Sequence, residues 1–245
     1  MRVADCNWMQ LEAYLEGDDR VVLPLGSTEQ HAYLSLATDN VLAERVATEA
    51  AEPLGIPVLP VLPYGITPTF ASYPGSPGVR IETYAALVRD LLDSLYGQGF
   101  RRVLLVNGHG GNTPARTVAQ EWTAANADAQ AIQHDWWLGP RFLAAAREIN
   151  PAVGHASWFE NFPWTRLAHV ELPDERKPMV DLEALRRVGP SAARELLGDG
   201  SFGGPYEIAD ETMLSLWQIG VEETRELLAG GWHAKSAPSP GARSK

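Results

Sequence analysis

Short apolar runs alternate along this chain with stretches of helical periodicity. VVLPL, from Val21 to Leu25, and VLLVN, ending at Asn107, are almost wholly apolar, the pattern of strands covered on both faces. Ala129 to His134 predicts a further strand. Ile56 to Leu62 predicts another, with irregular ends because prolines punctuate it. Between these runs the period changes to that of a helix. Asn7 to Glu16 reads as a short helix, and Asn40 to Ala51 sets Val41, Leu42, Val46 and Ala50 on one face. Glu82 to Tyr96 carries Leu87, Leu91, Leu92 and Leu95 at helical spacing and stops at Gly97 and Gly99. Ala115 to Ala127, Arg141 to Ile149, Leu182 to Leu197 and Glu211 to Leu228 complete the set. Pro63 to Gly78, rich in Pro, Gly, Ser and Thr, predicts a long shaped loop.

Alternation of strand and helix predicts an α/β fold, a mostly parallel sheet with helices on both faces. Its 245 residues fit a single domain over residues 1–235, with residues 236–245 a disordered tail. In such sheets ligands bind beyond the carboxyl ends of the strands. PLGSTEQHAYLSLATD, from Pro24 to Asp39, and the turn NGHGGN, from Asn107 to Asn112, both sit at such ends.

Composition narrows the function class. A net charge of −11 repels phosphate backbones, which argues against a nucleic-acid partner. No apolar stretch approaches the ~18 residues of a membrane span, and the first ten residues lack the basic-then-apolar pattern of a secretory signal. Cys6 is the single cysteine, so no internal disulfide forms, in keeping with a reducing cytoplasm.

Glu29 and His31 stand two apart, so an extended segment turns both to one side. Asp39 follows eight residues later, and His109 lies in a turn of glycines that allow close approach. Each has a plainer role available. Asp39 and Asn112 could cap helices, and the glycine-rich turn could cradle a phosphate through its amides. Together, two imidazoles and two carboxylates suit zinc, or manganese where oxygen ligands weigh more. Three ligands serve one catalytic ion, and a further carboxylate able to bridge suggests a pair.

GSTEQH, the later TD, LPYGI, YPGS, NGHGGN and the HAxxxE spacing of His155 and Glu160 occur here in the order found in the creatininase (creatinine amidohydrolase) family, which the chain resembles over about residues 20–165. The resemblance implies an α/β fold, two divalent ions (Zn or Mn), a small-molecule substrate and a homo-oligomer, commonly a hexamer. It implies that Glu29 and His109 hold one ion and His31 the other, with Asp39 bridging. Creatininase has a glutamate two residues after the NGH histidine, where this chain has Gly111. Other members use the glutamate of a later HAxxxETS motif, which matches Glu160, while His155 matches a histidine acting as proton shuttle. The family's EQHGPHLPLGTD is EQHAYLSLATD here, one residue shorter, the histidine before FPGT is Phe70, and ETS has become Glu160-Asn161-Phe162.

These matches predict a hydrolase in which a metal-activated water attacks a carbonyl, with His155 passing the proton. Its substrate is expected to be a small, cyclic amide. Opening of a cyclic keto-polyol, deformylation of a formamide, and a non-enzymatic phosphate-binding module are the alternatives. Tyr33, Tyr73 and Trp158 are candidates for the substrate pocket, Trp158 as part of a lid, although aromatic clusters such as Trp136, Trp137, Trp158 and Trp164 also build cores and interfaces. His155 itself could be a structural histidine bonded to a backbone carbonyl. His134, His169 and His233 have no companion motif and are expected to be structural.

Overall fold

A computed structural model describes residues 1–232. The predicted tail and His233 lie outside the described residues. Three parallel strands, β1 (Arg20–Leu25), β2 (Arg102–Asn107) and β3 (Gln130–Asp135), lie in the order β1-β2-β3, with Arg20 opposite Arg102 and Arg102 opposite Gln130. Around them run α1 (Trp8–Leu15), α2 (Thr38–Ala51), α3 (Ile81–Gly97), α4 (Pro114–Ala125), α5 (Pro140–Ile149), α6 (Leu182–Leu185), α7 (Pro190–Leu197) and α8 (Asp210–Gly230).

The pleat explains why the strand sequences are almost wholly apolar. Val21, Leu23 and Leu25 of β1 and Val103 and Leu105 of β2 face one side, where they pack against Tyr84, Val88 and Leu92 of α3 and Trp122 of α4. Val22, Leu104 and Val106 face the other and meet Leu42 and Val46 of α2, Phe142 of α5 and Trp217 of α8. Leu104 and Leu105 are fully buried, so trimming either to alanine costs about 2–5 kcal/mol.

Local signals set the helix ends. Asn7 and Gln10 form a reciprocal capping box at the start of α1. Pro114 opens α4 where the missing N–H loses nothing.

Two predicted elements differ. Ile56 to Leu62 is a broken edge rather than a regular strand. It meets β1 through isolated parallel bridges at Val58 and Leu62, with Val22 N–H donating to the Pro57 carbonyl at 2.9 Å and Leu62 N–H to the Pro24 carbonyl at 2.9 Å. Pro57 and Pro60 lack the N–H groups that a continuous ladder needs. Leu182 to Leu197 is two helices, because Gly189-Pro190 interrupts the first and starts the second. A small satellite core of Phe70, Leu185, Ala193 and Leu197 ties this pair to the 3-10 turn Pro68–Phe70.

Candidate metal centre

The segment leaving β1 and the turn leaving β2 converge at the carboxyl ends of their strands. Asp39 is not a helix cap. It lies inside the first turn of α2, whose N-cap Ala37 makes no side-chain cap bond. Nor is Asn112, whose amide donates to the Gly26 carbonyl at 3.0 Å and to Asn107 Oδ1 at 3.1 Å, binding the two segments together. Gly108 permits the contact between the turn and α2, since a Cβ there would lie 2.5 Å from the Asp39 carbonyl oxygen.

Six side chains meet at this point. Glu29, His31, Asp39 and His109 are buried, and His155 and Glu160 nearly so. His31 Nε2 lies 3.0 Å from Asp39 Oδ1 and 3.7 Å from Glu160 Oε2. His109 Nδ1 lies 3.0 Å from Asp39 Oδ2 and 3.3 Å from Glu29 Oε1. His155 Nδ1 is 3.8 Å from both Glu29 Oε1 and Glu160 Oε2. Two groups with metal-ligand spacing share one carboxylate: Glu29, Asp39 and His109, and His31, Asp39 and Glu160, each with its ligand atoms within 4.8 Å of one another. Glu29, His31 and His155 make a third such group.

Backbone carbonyls orient all three imidazoles. A carbonyl can only accept, so His31 Nδ1–H donates to Glu29 O (3.1 Å) and His109 Nε2–H to Ile66 O (2.9 Å). His155 Nε2 instead stands between an acceptor, Gln30 O (3.0 Å), and a donor, the Gln30 side-chain Nε2 (2.9 Å), and can serve either tautomer. In His31 and His109 the remaining ring nitrogens, with their lone pairs, point at the carboxylates, the arrangement that fixes metal-binding histidines. His109 Nδ1 and Asp39 Oδ2 then face one another lone pair to lone pair, and Oδ2 has no hydrogen-bond partner among the described residues. Only a cation or a proton between them relieves that contact. The residues present therefore fit a bound cation.

Electrostatics carry the same message. Burial alone would lower the His31 pKa, but the facing carboxylates of Asp39, Glu160 and Glu29 outweigh it and raise it to about 10. Burial likewise opposes protonation of His109, yet Glu29 and Asp39 hold it well above its ordinary value. Asp39, despite burial, is held below the usual carboxylate range by His31 and His109. Burial pushes Glu160 up to about 7 against the opposing charge of His31. His155 goes the other way, lowered by burial and by the charge of His31. Backbone strain concentrates here as well. Ala32 (φ 49°) and Ala156 (φ 53°), each next to one of these histidines, adopt left-handed conformations that cost about 1–3 kcal/mol apiece. At Ala156 the turn aims its N–H at Glu160 Oε2, 2.6 Å away.

A cavity of about 670 Å³ opens from the centre. Neither Tyr33, which packs edge-on against Tyr206, nor Tyr73, whose hydroxyl donates to Gly198 O, is part of its lining. Trp158 is fully buried in the main core and donates its indole N–H to Ala152 O, so it is core rather than lid. Aromatic density alone does not separate the two. The wall instead includes Phe70, stacked on the His155 ring at 4.6 Å, together with Trp137, Phe159 and Phe202. Arg147 also reaches the lining. Phe159 lies within the HAxxxE spacing and Trp137 among the aromatics named from the sequence, whereas Phe202 and Arg147 belong to no motif noted there.

The family model for creatininase (creatinine amidohydrolase) matches residues 4–228. Creatinine amidohydrolase of Pseudomonas putida is 32% identical over 114 residues, 44% of this chain and 44% of that protein. The mycofactocin precursor peptide peptidase of Mycolicibacterium smegmatis is 40% identical over 110 residues, 40% of this chain and 42% of that protein. The chain thus spans under half the length of the curated relatives it matches. A crystal structure of creatininase superposes with a TM-score of 0.75 at 21% identity, covering 94% of this chain and 97% of that one. Solved creatininase includes a manganese form and a Zn–Zn form. With the motifs at the carboxyl ends of a parallel sheet and the family match running over nearly the whole described chain, this protein belongs to the creatininase family.

Proposed function

We propose that this chain is a metal-dependent hydrolase of carbonyl substrates, cleaving an amide bond. The observation that carries the proposal is the sharing of Asp39 between two ligand groups, one oxygen turned to each histidine. Glu29, Asp39 and His109 would hold one divalent ion, and His31, Asp39 and Glu160 a second. A mixed nitrogen and oxygen donor set suits zinc or manganese. Bound there, the ions supply an activated water and polarise the carbonyl that it attacks.

The protein's own groups do the rest. His155 Nε2 is engaged by the Gln30 carbonyl and side-chain amide, and Nδ1 faces Glu29 and Glu160, so Nδ1 is the ring atom placed to carry a proton to the leaving group. Phe70 and Phe202 lie against the same ring and exclude bulk water from that side.

The same proposal takes residues 1–235 as one functional unit, a homo-oligomer of the family's hexameric kind, in the cytoplasm. Among the described residues no helix is long and apolar enough to cross a membrane. Elemental analysis of the purified protein, followed by a hydrolysis screen of creatinine, formamides and cyclic keto-polyols beside linear amides, tests the proposal. About two equivalents of zinc or manganese with metal-dependent turnover is the expected result. Protein that binds no stoichiometric metal and is active after chelation overturns it.

A further inference from the structure

Resting on the hydrolase function proposed above, we infer that the substrate is an amide bearing a free carboxylate and an apolar side group, with Arg147 as the residue that receives the carboxylate. Three features of the cavity lead there. About 670 Å³ falls within the range of roughly 300–1,000 Å³ usual for sites that enclose a whole ligand, and far exceeds what a single small ring fills. Its wall beyond the metal centre is mainly apolar, built by Phe70, Trp137, Leu138, Leu143, Phe159 and Phe202. Among the described residues of the lining, the polar side chains outside the centre are Thr67, Thr69, Thr113, the Trp137 indole and Arg147. A polyol needs partners for many hydroxyls at once, and a wall of this kind leaves most of them unpaired.

Arg147 gives the cavity its polarity. It sits in the last turn of α5, exposed, and forms no hydrogen bond or ion pair with any described residue. Arg141, at the start of the same helix, is by contrast tied to Glu223 and Glu226. Apart from the histidines, Arg147 is the one cationic side chain among the described residues of the lining, in a chain whose net charge is −11. A guanidinium matches a carboxylate through two parallel N–H···O bonds. One guanidinium suits a single negative charge, which favours a carboxylate over a doubly charged phosphate. The amide carbonyl then lies over the Glu29, Asp39 and His109 end, the apolar group lies along the phenylalanines, and the carboxylate meets Arg147.

The test uses three probes with the zinc- or manganese-loaded protein: N-acetyl-L-phenylalanine, N-acetylphenethylamine, which lacks the carboxylate, and N-acetylglycine, which lacks the ring. Acetate release is followed, and binding is titrated calorimetrically in parallel. N-acetyl-L-phenylalanine should exceed both others by about tenfold or more in kcat/KM or in affinity. Arg147→Ala should collapse its advantage over N-acetylphenethylamine, with the loss falling on KM rather than kcat. Equal handling of the acid and N-acetylphenethylamine, or a preference that survives Arg147→Ala, overturns the inference. Metal-dependent turnover of creatinine without any preference for a carboxylate removes this inference and leaves the hydrolase standing. Carboxylate-selective binding lost in Arg147→Ala, with no probe cleaved, supports the pocket assignment and tells against the hydrolase.

Discussion

Asn107 donates from Nδ2 to Asp135 Oδ1 at 2.7 Å, joining the last residues of two neighbouring strands that stand opposite each other in register. The same Asn107 brackets His109. Its amide also donates to the His109 carbonyl at 2.8 Å, and its Oδ1 accepts from the His109 N–H at 3.2 Å. Asp135 thus acts on the candidate ligand through one intermediary, without touching the centre. Asp135→Ala should leave secondary structure intact and weaken metal affinity measurably, by less than the roughly ten- to hundredfold usual for losing a group bonded directly to a ligand. Competition against a chelator of known affinity measures it. Wild-type affinity in the variant would assign Asp135 to packing alone.

Sharing of Asp39 makes the two ligand groups separable by stoichiometry. Glu160→Gln removes a ligand from the His31 group only, so bound metal should fall from about two equivalents to about one. Asp39→Asn weakens both groups and should lose both ions together with activity, while circular dichroism shows a preserved fold. Elemental analysis of matched preparations reads both outcomes. Equal metal loss in the two variants would remove the distinct role given to Asp39.

Gly111 bears on why Glu160 is the carboxylate on that side. A Cβ at position 111 would lie 1.9 Å from the Ile66 carbonyl oxygen and 2.5 Å from His109 Nε2, between the two partners of the bond that orients His109. Gly111→Glu therefore cannot take over from Glu160 without moving the loop. In an Asp- and His-intact background, Gly111→Glu should cost about 1–3 kcal/mol of stability, typical of an overpacked interior position. Combined with Glu160→Gln, it should restore neither the second ion nor activity. Recovery of both would show that the loop yields easily.

The sheet and the long helices are legible in the sequence because their physics is local. Continuous apolar runs such as VLLVN have one economical use, a strand covered on both sides, and the leucine spacing of α3 has one helical face. Where a single residue type decided the outcome, local pattern gave a coarser answer: Pro57 and Pro60 broke the edge strand, and Gly189-Pro190 split the helix after Leu182. The centre was visible through motif order rather than periodicity. Its carboxylates and imidazoles come from distant segments that only the sheet brings together. Trp158 shows the limit of reading aromatics, since an indole in the core and one on a lid have the same sequence signature. Arg147 and Asp135 look ordinary in their elements, and only the cavity and the cross-strand bond set them apart.

His134 provides a pH dependence away from the metal centre. Burial lowers its pKa, outweighing the upward pull of Asp135 and Glu223, and its Nε2 lies 3.1 Å from Thr224 Oγ1. Since the Thr224 hydroxyl already donates to Gly220 O at 2.8 Å, the ring N–H is the donor in that pair. The folded protein therefore holds a neutral ring at pH values where the unfolded chain, titrating near ~6.5, binds a proton. Unfolding takes up a proton in that window, so stability rises with pH through it and falls as the pH drops below ~6.5 towards the lowered folded-state value. The slope from one such group is at most ~1.4 kcal/mol per pH unit. His134→Gln keeps a side-chain donor for Thr224 and cannot titrate. Urea unfolding between pH 8 and pH 5, values chosen roughly to bracket the unbound imidazole, should show wild type losing stability relative to the variant as the pH falls. Parallel profiles would mean that His134 protonates equally in both states.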